Sequence, residues 1–250
     1  MSSAQTRAHS SASSSPVTDV KICGLSTAAT MDAALDAGAA YVGLVFFSPS
    51  PRDVSVADAA PLARRAAGRA KTVALFVDPS DDLVDAVARD VRPDYVQLHG
   101  DESADRAGAI ATRAEAKLIK AIKVATREDL AAAAEFEGLA DILLFDAKPP
   151  KVPADGAAAL PGGNGDAFDW RILEAAPQTS SWMLSGGLRA ENVADAIAAT
   201  SAPALDVSSG VERARGEKDV DLIHQFMTAV RLADQAVAAK PLAEPRHVQA

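Results

Sequence analysis

Along the chain, short apolar runs rich in β-branched and aromatic residues alternate with longer Ala-rich stretches of helical spacing, separated by Gly, Ser, Pro or Asp. The apolar runs predict strands over residues 17–23, 41–46, 72–77, 95–98, 117–122, 142–145, 182–184 and 204–207. Helices are expected to begin near Thr27, Ser55, Ser80, Glu102, Thr126, Asp169, Arg189 and Asp219. Several of these starts carry a Ser, Thr or Asp that can cap free N–H groups, and Ala-rich sequence has strong helix propensity. Strand–helix alternation implies a parallel sheet, because parallel neighbours need a crossover. Eight units in 250 residues is the number that closes an α/β fold into a single (β/α)8 TIM barrel. An open doubly wound sheet is the competing architecture. It calls for a dinucleotide fingerprint, and no G-x-G-x-x-G follows any of these strands.

The flanks read differently. Residues 1–16 are Ser- and Ala-rich with Arg7, His9 and no acidic residue, which predicts a disordered N-terminal tail; a cleaved organellar transit peptide shares that bias. The barrel is expected over residues 17–237, with 238–250 as a C-terminal tail. The connection after the sixth strand, from Lys148 to about Phe168, is long and contains Pro149, Pro150, Pro153, Pro161 and Gly162-Gly163-Asn164-Gly165, the composition of a hinged lid.

Composition narrows the function classes. The net charge of −9 argues against a broad nucleic-acid or anionic-membrane surface. No apolar run approaches the roughly 20 residues that span a bilayer, and the composition suits a soluble cytoplasmic protein. A single cysteine rules out an intramolecular disulfide, and the four scattered histidines show no metal-ligand spacing. Neither a metal nor a cofactor is expected. The acidic, Ala-rich surface offers no obvious interface, so the default is a monomer.

In a barrel, chemistry belongs at the C-terminal ends of the strands, and there the chain places Cys23-Gly24, Ser50-Pro51-Arg52, His99-Gly100-Asp101, Asp146, Ser185-Gly186-Gly187 and Asp206-Val207-Ser208-Ser209-Gly210. The lone Cys23 is by itself more often a small buried hydrophobe than a catalyst. Opposite Asp146 across the barrel mouth, it forms a base and acid suited to an isomerisation. That role asks for a lowered thiol pKa or a transiently ionised thiol at Cys23, and for a protonated Asp146. Gly186, Gly187, Ser208, Ser209 and Gly210 can be two ordinary turns, but their pairing after adjacent strands favours a phosphate site. Arg52 can grip a carboxylate bidentately or pair on the surface with Asp53 or Asp58. His99 and Asp206 can orient substrate hydroxyls or serve internal hydrogen bonding, and Asp146 can instead pair with Lys148. A Schiff-base aldolase on Lys21, Lys120 or Lys123 is an alternative, because period-two alternation puts Lys21 on the same strand face as Cys23. A phosphate-binding barrel without catalysis is another.

With these residues assembled, the chain closely resembles the phosphoribosylanthranilate isomerase family. The resemblance rests on Lys21-Ile22-Cys23-Gly24, Ser50-Pro51-Arg52, Val96-Gln97-Leu98-His99-Gly100-Asp101-Glu102, Leu143-Leu144-Phe145-Asp146, Leu184-Ser185-Gly186-Gly187-Leu188 and Asp206-Val207-Ser208-Ser209-Gly210-Val211-Glu212, in order along residues 18 to about 232. Gly162-Gly163-Asn164-Gly165 also matches, with Asn164 where the family usually has Thr, and the loop over residues 151–160 is longer than typical. The resemblance implies an Amadori rearrangement of N-(5-phosphoribosyl)anthranilate in tryptophan biosynthesis, without cofactor or metal. By that analogy Asp146 is the general acid, Cys23 the general base, Arg52 the carboxylate anchor, and the glycine and serine loops the phosphate site. A sister barrel of histidine biosynthesis runs the same rearrangement with Asp at both catalytic positions, and Cys23 points away from it.

Overall fold

A computed structural model describes residues 17–148, 169–175 and 181–239. Eight parallel strands close into one barrel in chain order: β1 (Asp19–Cys23), β2 (Tyr41–Phe46), β3 (Lys71–Phe76), β4 (Tyr95–Leu98), β5 (Lys117–Val124), β6 (Ile142–Ala147), β7 (Ser181–Leu184) and β8 (Ala204–Val207). The seam between β8 and β1 is hydrogen-bonded like the others, with Lys21 opposite Asp206. Six α-helices pack outside: α1 (Ala28–Asp36), α2 (Val56–Ala66), α3 (Asp81–Asp90), α4 (Ala104–Ala114), α5 (Val193–Thr200) and α6 (Val220–Ala238). Their starts follow the capping chemistry of the sequence. The side chains of Thr27, Ser55, Ser80 and Asp219 each accept a hydrogen bond from the first turn; for α4 the cap is Ser103, one residue after the expected start.

Among the described residues, the other two crossovers contain no α-helix. Arg127–Phe136 and Trp170–Ala175 are 3-10 helices. In the first, the buried residues Leu130, Ala133 and Phe136 recur every three positions, and that spacing lines one face at three residues per turn. A two-stranded hairpin, β9 (Glu212–Ala214) with β10 (Glu217–Lys218), follows β8 and was not anticipated. β5 and β6 each run two residues past their expected ends, so Asp146 lies inside β6. The tail at 1–16, the lid at 149–168 with its Gly162-Gly163-Asn164-Gly165 segment, and residues 240–250 lie outside the described residues.

Period-two alternation divides each strand between two environments. The outward faces and the helices share one large apolar layer that includes Ile22, Leu44, Phe76, Leu98, Phe145 and Phe226. Inside, the lower barrel is filled by Val73, Tyr95, Ile119, Ile142, Leu144 and Met183, with Tyr41 packed against Tyr95. Above this plug the inward positions turn polar: Lys21, Gln97, His99, Asp146, Ser185 and Asp206 are all buried.

A second buried polar cluster fixes the mouth. Glu102 Oε2 accepts from Lys120 Nζ at 2.8 Å, while Oε1 accepts from the N–H groups of Asp78 (2.9 Å) and Gly100 (3.2 Å). Lys120 also donates to the Gly100 carbonyl at 2.8 Å and lies 5.4 Å from the centre of the Phe136 ring, on the outer side of the barrel. One carboxylate therefore ties the loops after β3 and β4 to β5. Glu102→Ala strands a buried ammonium and frees both loops. Unpaired buried charges of this kind cost about 3–5 kcal/mol, so the urea midpoint is expected to fall by that equivalent with an unchanged m-value.

Candidate active site

Cys23 ends β1 with its thiol almost fully buried, two residues above Lys21 on the same strand face. Both side chains need room from the neighbouring strand. A Cβ placed on Gly43 of β2 would lie 3.0 Å from Cys23 Sγ and 3.2 Å from Lys21 Nζ, so the glycine makes space for the thiol and ammonium together. Lys21 Nζ donates to Asp206 Oδ1 at 2.7 Å, and Ser185 Oγ donates to Asp206 Oδ2 at 3.2 Å. Across the mouth, Asp146 Oδ2 lies 3.1 Å from His99 Nε2, and His99 Nδ1 lies 3.1 Å from Gln97 Nε2.

Arg52 follows β2 and is buried. Its Nε and Nη2 donate to the two oxygens of Glu212 at 2.7 and 2.9 Å, the fork geometry expected of a guanidinium gripping a carboxylate. Lys218 closes on the same carboxylate and also donates to Ser208 Oγ at 3.2 Å. Ser208 Oγ in turn donates to the Cys23 carbonyl.

One cleft at the C-terminal ends of the strands is lined by Cys23, Arg52, His99, Asp146, Ser185, Gly186, Gly187, Asp206, Ser208 and Ser209, with an apolar side of Val45, Phe47, Leu75, Val77 and Leu188. Among the described residues, no protein acceptor faces the N–H groups of Gly186, Gly187 and Ser209. Free N–H groups converging from adjacent loops make an anion site. Gly186 holds φ +94°, and a Cβ there would lie 2.6 Å from Ala147, so a side chain is excluded on two counts. A wider depression at the opposite end, between α2 and α3, contains none of the residues singled out above. Barrel chemistry sits at the strand C-termini, and the upper cleft is the candidate.

Several sequence expectations change here. Gly210 is not among the residues lining the cleft; a Cβ on it would lie 1.9 Å from the Leu188 carbonyl oxygen, so close backbone packing also requires a glycine there. Arg52 pairs with Glu212 rather than with Asp53 or Asp58, which accept from Phe47 N–H and Ser55. Lys148 pairs with Asp129, leaving Asp146 to His99. Asp206 is engaged internally by Lys21 and Ser185. Of the two conditions set for Cys23 as base, a lowered thiol pKa is not met: burial pushes the thiol up, and the nearby Lys21 charge offsets this only in part, which leaves the transiently ionised thiol. Burial also presses on Lys21, but Asp206 and Cys23 outweigh it and hold the ammonium above its ordinary range. A protonated lysine is no Schiff-base nucleophile. Lys120 and Lys123 are tied to Glu102 and Asp101, so none of the three suits an aldolase.

Sequence reasoning missed Gly43, Gln97 and the pairing roles of Lys21, Glu212 and Lys218. For Gln97 a signal existed, since it precedes His99 by two positions and shares its face. For Glu212 no local signal exists, because its partner Arg52 is 160 positions away.

Residues 20–229 match the family model described as N-(5'-phosphoribosyl)anthranilate (PRA) isomerase. The N-(5'-phosphoribosyl)anthranilate isomerase of Afipia carboxidovorans is 51% identical over 217 residues, covering 87% of this chain and 91% of the relative. The crystal structure of phosphoribosyl anthranilate isomerase from Thermotoga maritima is 32% identical with a TM-score of 0.72, covering 86% of this chain and 98% of that one. A solved phosphoribosyl anthranilate isomerase in complex with reduced 1-(o-carboxyphenylamino)-1-deoxyribulose 5-phosphate is 30% identical, with a TM-score of 0.71 and the same coverage.

Because Cys23 is the only cysteine, its titration can be followed directly by thiolate ultraviolet absorbance. The midpoint is expected above the ordinary thiol range. Lys21→Met removes the largest opposing charge and leaves Asp206 uncompensated, so it moves the midpoint further up. A midpoint below that of free cysteine would contradict the burial argument.

Proposed function

The chain belongs to the N-(5'-phosphoribosyl)anthranilate isomerase family, and from that premise we propose how its cleft carries out the family reaction. The enzyme converts N-(5-phosphoribosyl)anthranilate, an aminoaldose phosphate, into the 1-amino-1-deoxyketose phosphate in tryptophan biosynthesis. The observation that carries the assignment of roles is the single cleft in which Cys23 and Asp146 share an opening with Arg52 and the two Gly/Ser loops.

The substrate phosphate sits on the free N–H groups of Gly186, Gly187 and Ser209, with Ser208 alongside. Arg52 meets the anthranilate carboxylate, its guanidinium plane held by Glu212. His99 steadies Asp146, and Asp206 steadies Lys21. Gly210 continues the Ser208-Ser209 loop beside the phosphate, with its backbone packed closely on Leu188. Asp146 gives its proton to the furanose ring oxygen, the C1–O bond breaks, and the anthranilate nitrogen lone pair forms the C1=N bond of a Schiff base. Cys23 then takes the C2 proton; the C2–H electron pair becomes the C1=C2 bond and the C1=N pair returns to nitrogen. Ketonisation of the resulting enol completes an isomerisation with no net redox change. Both proton transfers are general acid–base steps. The Lys21 ammonium beneath Cys23 lowers the cost of the thiolate, and the positive charge of the Schiff base lowers it further. The working unit proposed is a monomer acting in the cytoplasm. Among the described residues no helix is long and apolar enough to cross a membrane.

Turnover of freshly generated substrate, followed by loss of anthranilate fluorescence, is the direct test. Cys23→Ala and Asp146→Asn are each expected to lose roughly 10²–10⁴-fold in kcat while still binding a phosphate-bearing product analogue. Near-normal turnover in either variant would remove that residue from the mechanism, and an inactive but folded wild type would remove the isomerase assignment.

A further inference from the structure

The general acid is one end of a buried three-residue chain whose far end, Gln97, has no part in the reaction as drawn above. Gln97 is fully buried on β4, two positions before His99 and on the same inward face. Its amide nitrogen faces His99 Nδ1 at 3.1 Å, and His99 Nε2 faces Asp146 Oδ2 at 3.1 Å. Among the described residues, the other amide atom, Gln97 Oε1, is buried without any hydrogen-bond partner. An orphaned buried carbonyl is costly, and the two orientations of the amide make opposite demands on His99 Nδ1, so the tautomer of His99 reports which one is held.

We propose that Gln97 is a positioning residue that sets the tautomer of His99 and thereby places the acid proton of Asp146 on the oxygen directed to substrate. An amide nitrogen only donates. His99 Nδ1 must therefore accept, which puts the single proton of the neutral imidazole on Nε2, where it is donated to Asp146 Oδ2. Oδ2 is then committed as an acceptor. The transferable proton resides on Oδ1, which has no hydrogen-bond partner among the described residues and belongs to a residue lining the cleft. When Oδ1–H breaks and the ring oxygen gains the proton, the carboxylate left behind keeps its Nε2–H donor. With the amide turned over, Oε1 would accept from Nδ1–H, and Nε2 would become an acceptor. That nitrogen would draw the Asp146 proton into an internal Oδ2–H···Nε2 bond, away from substrate.

This inference rests on Asp146 as the acid, and the experiment separates the two. In the full chain with 15N-labelled histidine, the His99 ring resonances, identified by their disappearance in His99→Asn, report which nitrogen carries the proton without any turnover. The wild type is expected to show neutral imidazole protonated at Nε2. Gln97→Glu, nearly isosteric but presenting only acceptors, is expected to move the proton to Nδ1 or onto both nitrogens. Gln97→Met is expected to release the preference for Nε2. In each, kcat should fall roughly tenfold to a hundredfold with KM within about twofold, the signature of a group acting on the chemical step. A wild-type His99 protonated at Nδ1 overturns the proposal while leaving the isomerase assignment intact, as does a Gln97→Met enzyme that keeps both the Nε2 proton and its kcat. Should the variants fail to fold, the wild-type tautomer alone decides.

Discussion

The structure turns on an ion pair buried inside the barrel. Lys21 and Asp206 face each other across the seam between the first and last strands, 2.7 Å apart and with almost no solvent exposure. Taking two charges out of water costs several kcal/mol per ion after relaxation, and their attraction repays this only with good geometry and further hydrogen bonds. Here Ser185 supplies one such bond and Gly43 clears the space above the ammonium. An apolar pair of similar volume would close the same seam at no loss of stability, so stability alone does not account for the charges. Their position directly under Cys23 does, because the ammonium supplies positive potential to the one thiol in the chain.

The barrel separates that chemistry from the forces that hold it together. The outer layer, where helices lie on the strands, is mainly apolar with the Lys120–Glu102 pair set into it, and the lower interior is a packed plug. Inside the barrel, among the described residues, buried charged groups enter only above the plug, on inward positions of β1, β6 and β8 and directly after β4. Each buried charge is braced by a partner from another strand or loop: Lys21 by Asp206, His99 by Asp146, Arg52 by Glu212, Lys120 by Glu102. A side chain held at both ends loses little freedom when substrate arrives, which is the value of building a site on rigid elements.

Much of this was legible in the sequence, and the parts that were not share a cause. Period-two alternation placed Lys21 with Cys23 and set Asp146 at a strand end; Ser, Thr and Asp marked most helix starts. These are local properties, fixed within a few residues. Partner choice is not local. Arg52 had Asp53 next to it and took Glu212, because the β9–β10 hairpin folds back over the β2 loop and brings Glu212 within reach. Asp146 had Lys148 two positions on, but the strand ends at Ala147 and Lys148, already in the loop, reaches Asp129 instead. The direction of the Cys23 shift depended on burial set by the whole closed barrel, which no window of sequence contains. Gly210 also carries a packing demand, since the Leu188 backbone crosses it, and no local pattern announces that.

The burial that raises the Cys23 thiol also orders the proposed reaction. A thiol held protonated at rest is a poor base toward the intact aminoaldose, and the Lys21 charge alone does not bring it down. Opening the ring changes this in the proposed reaction, since the protonated Schiff base adds a second positive charge beside the buried thiol. Two unit charges about 4 Å apart interact by roughly 4 kcal/mol at the effective dielectric of a protein site, the equivalent of about 3 pKa units. Substrate activation by Asp146 and activation of Cys23 are then one event, and proton abstraction at C2 follows ring opening. A permanently ionised thiolate at this position would be ready earlier but would be exposed to oxidation and alkylation between turnovers. A buried, protonated cysteine over a fixed ammonium gives the reaction its base at the step that needs it.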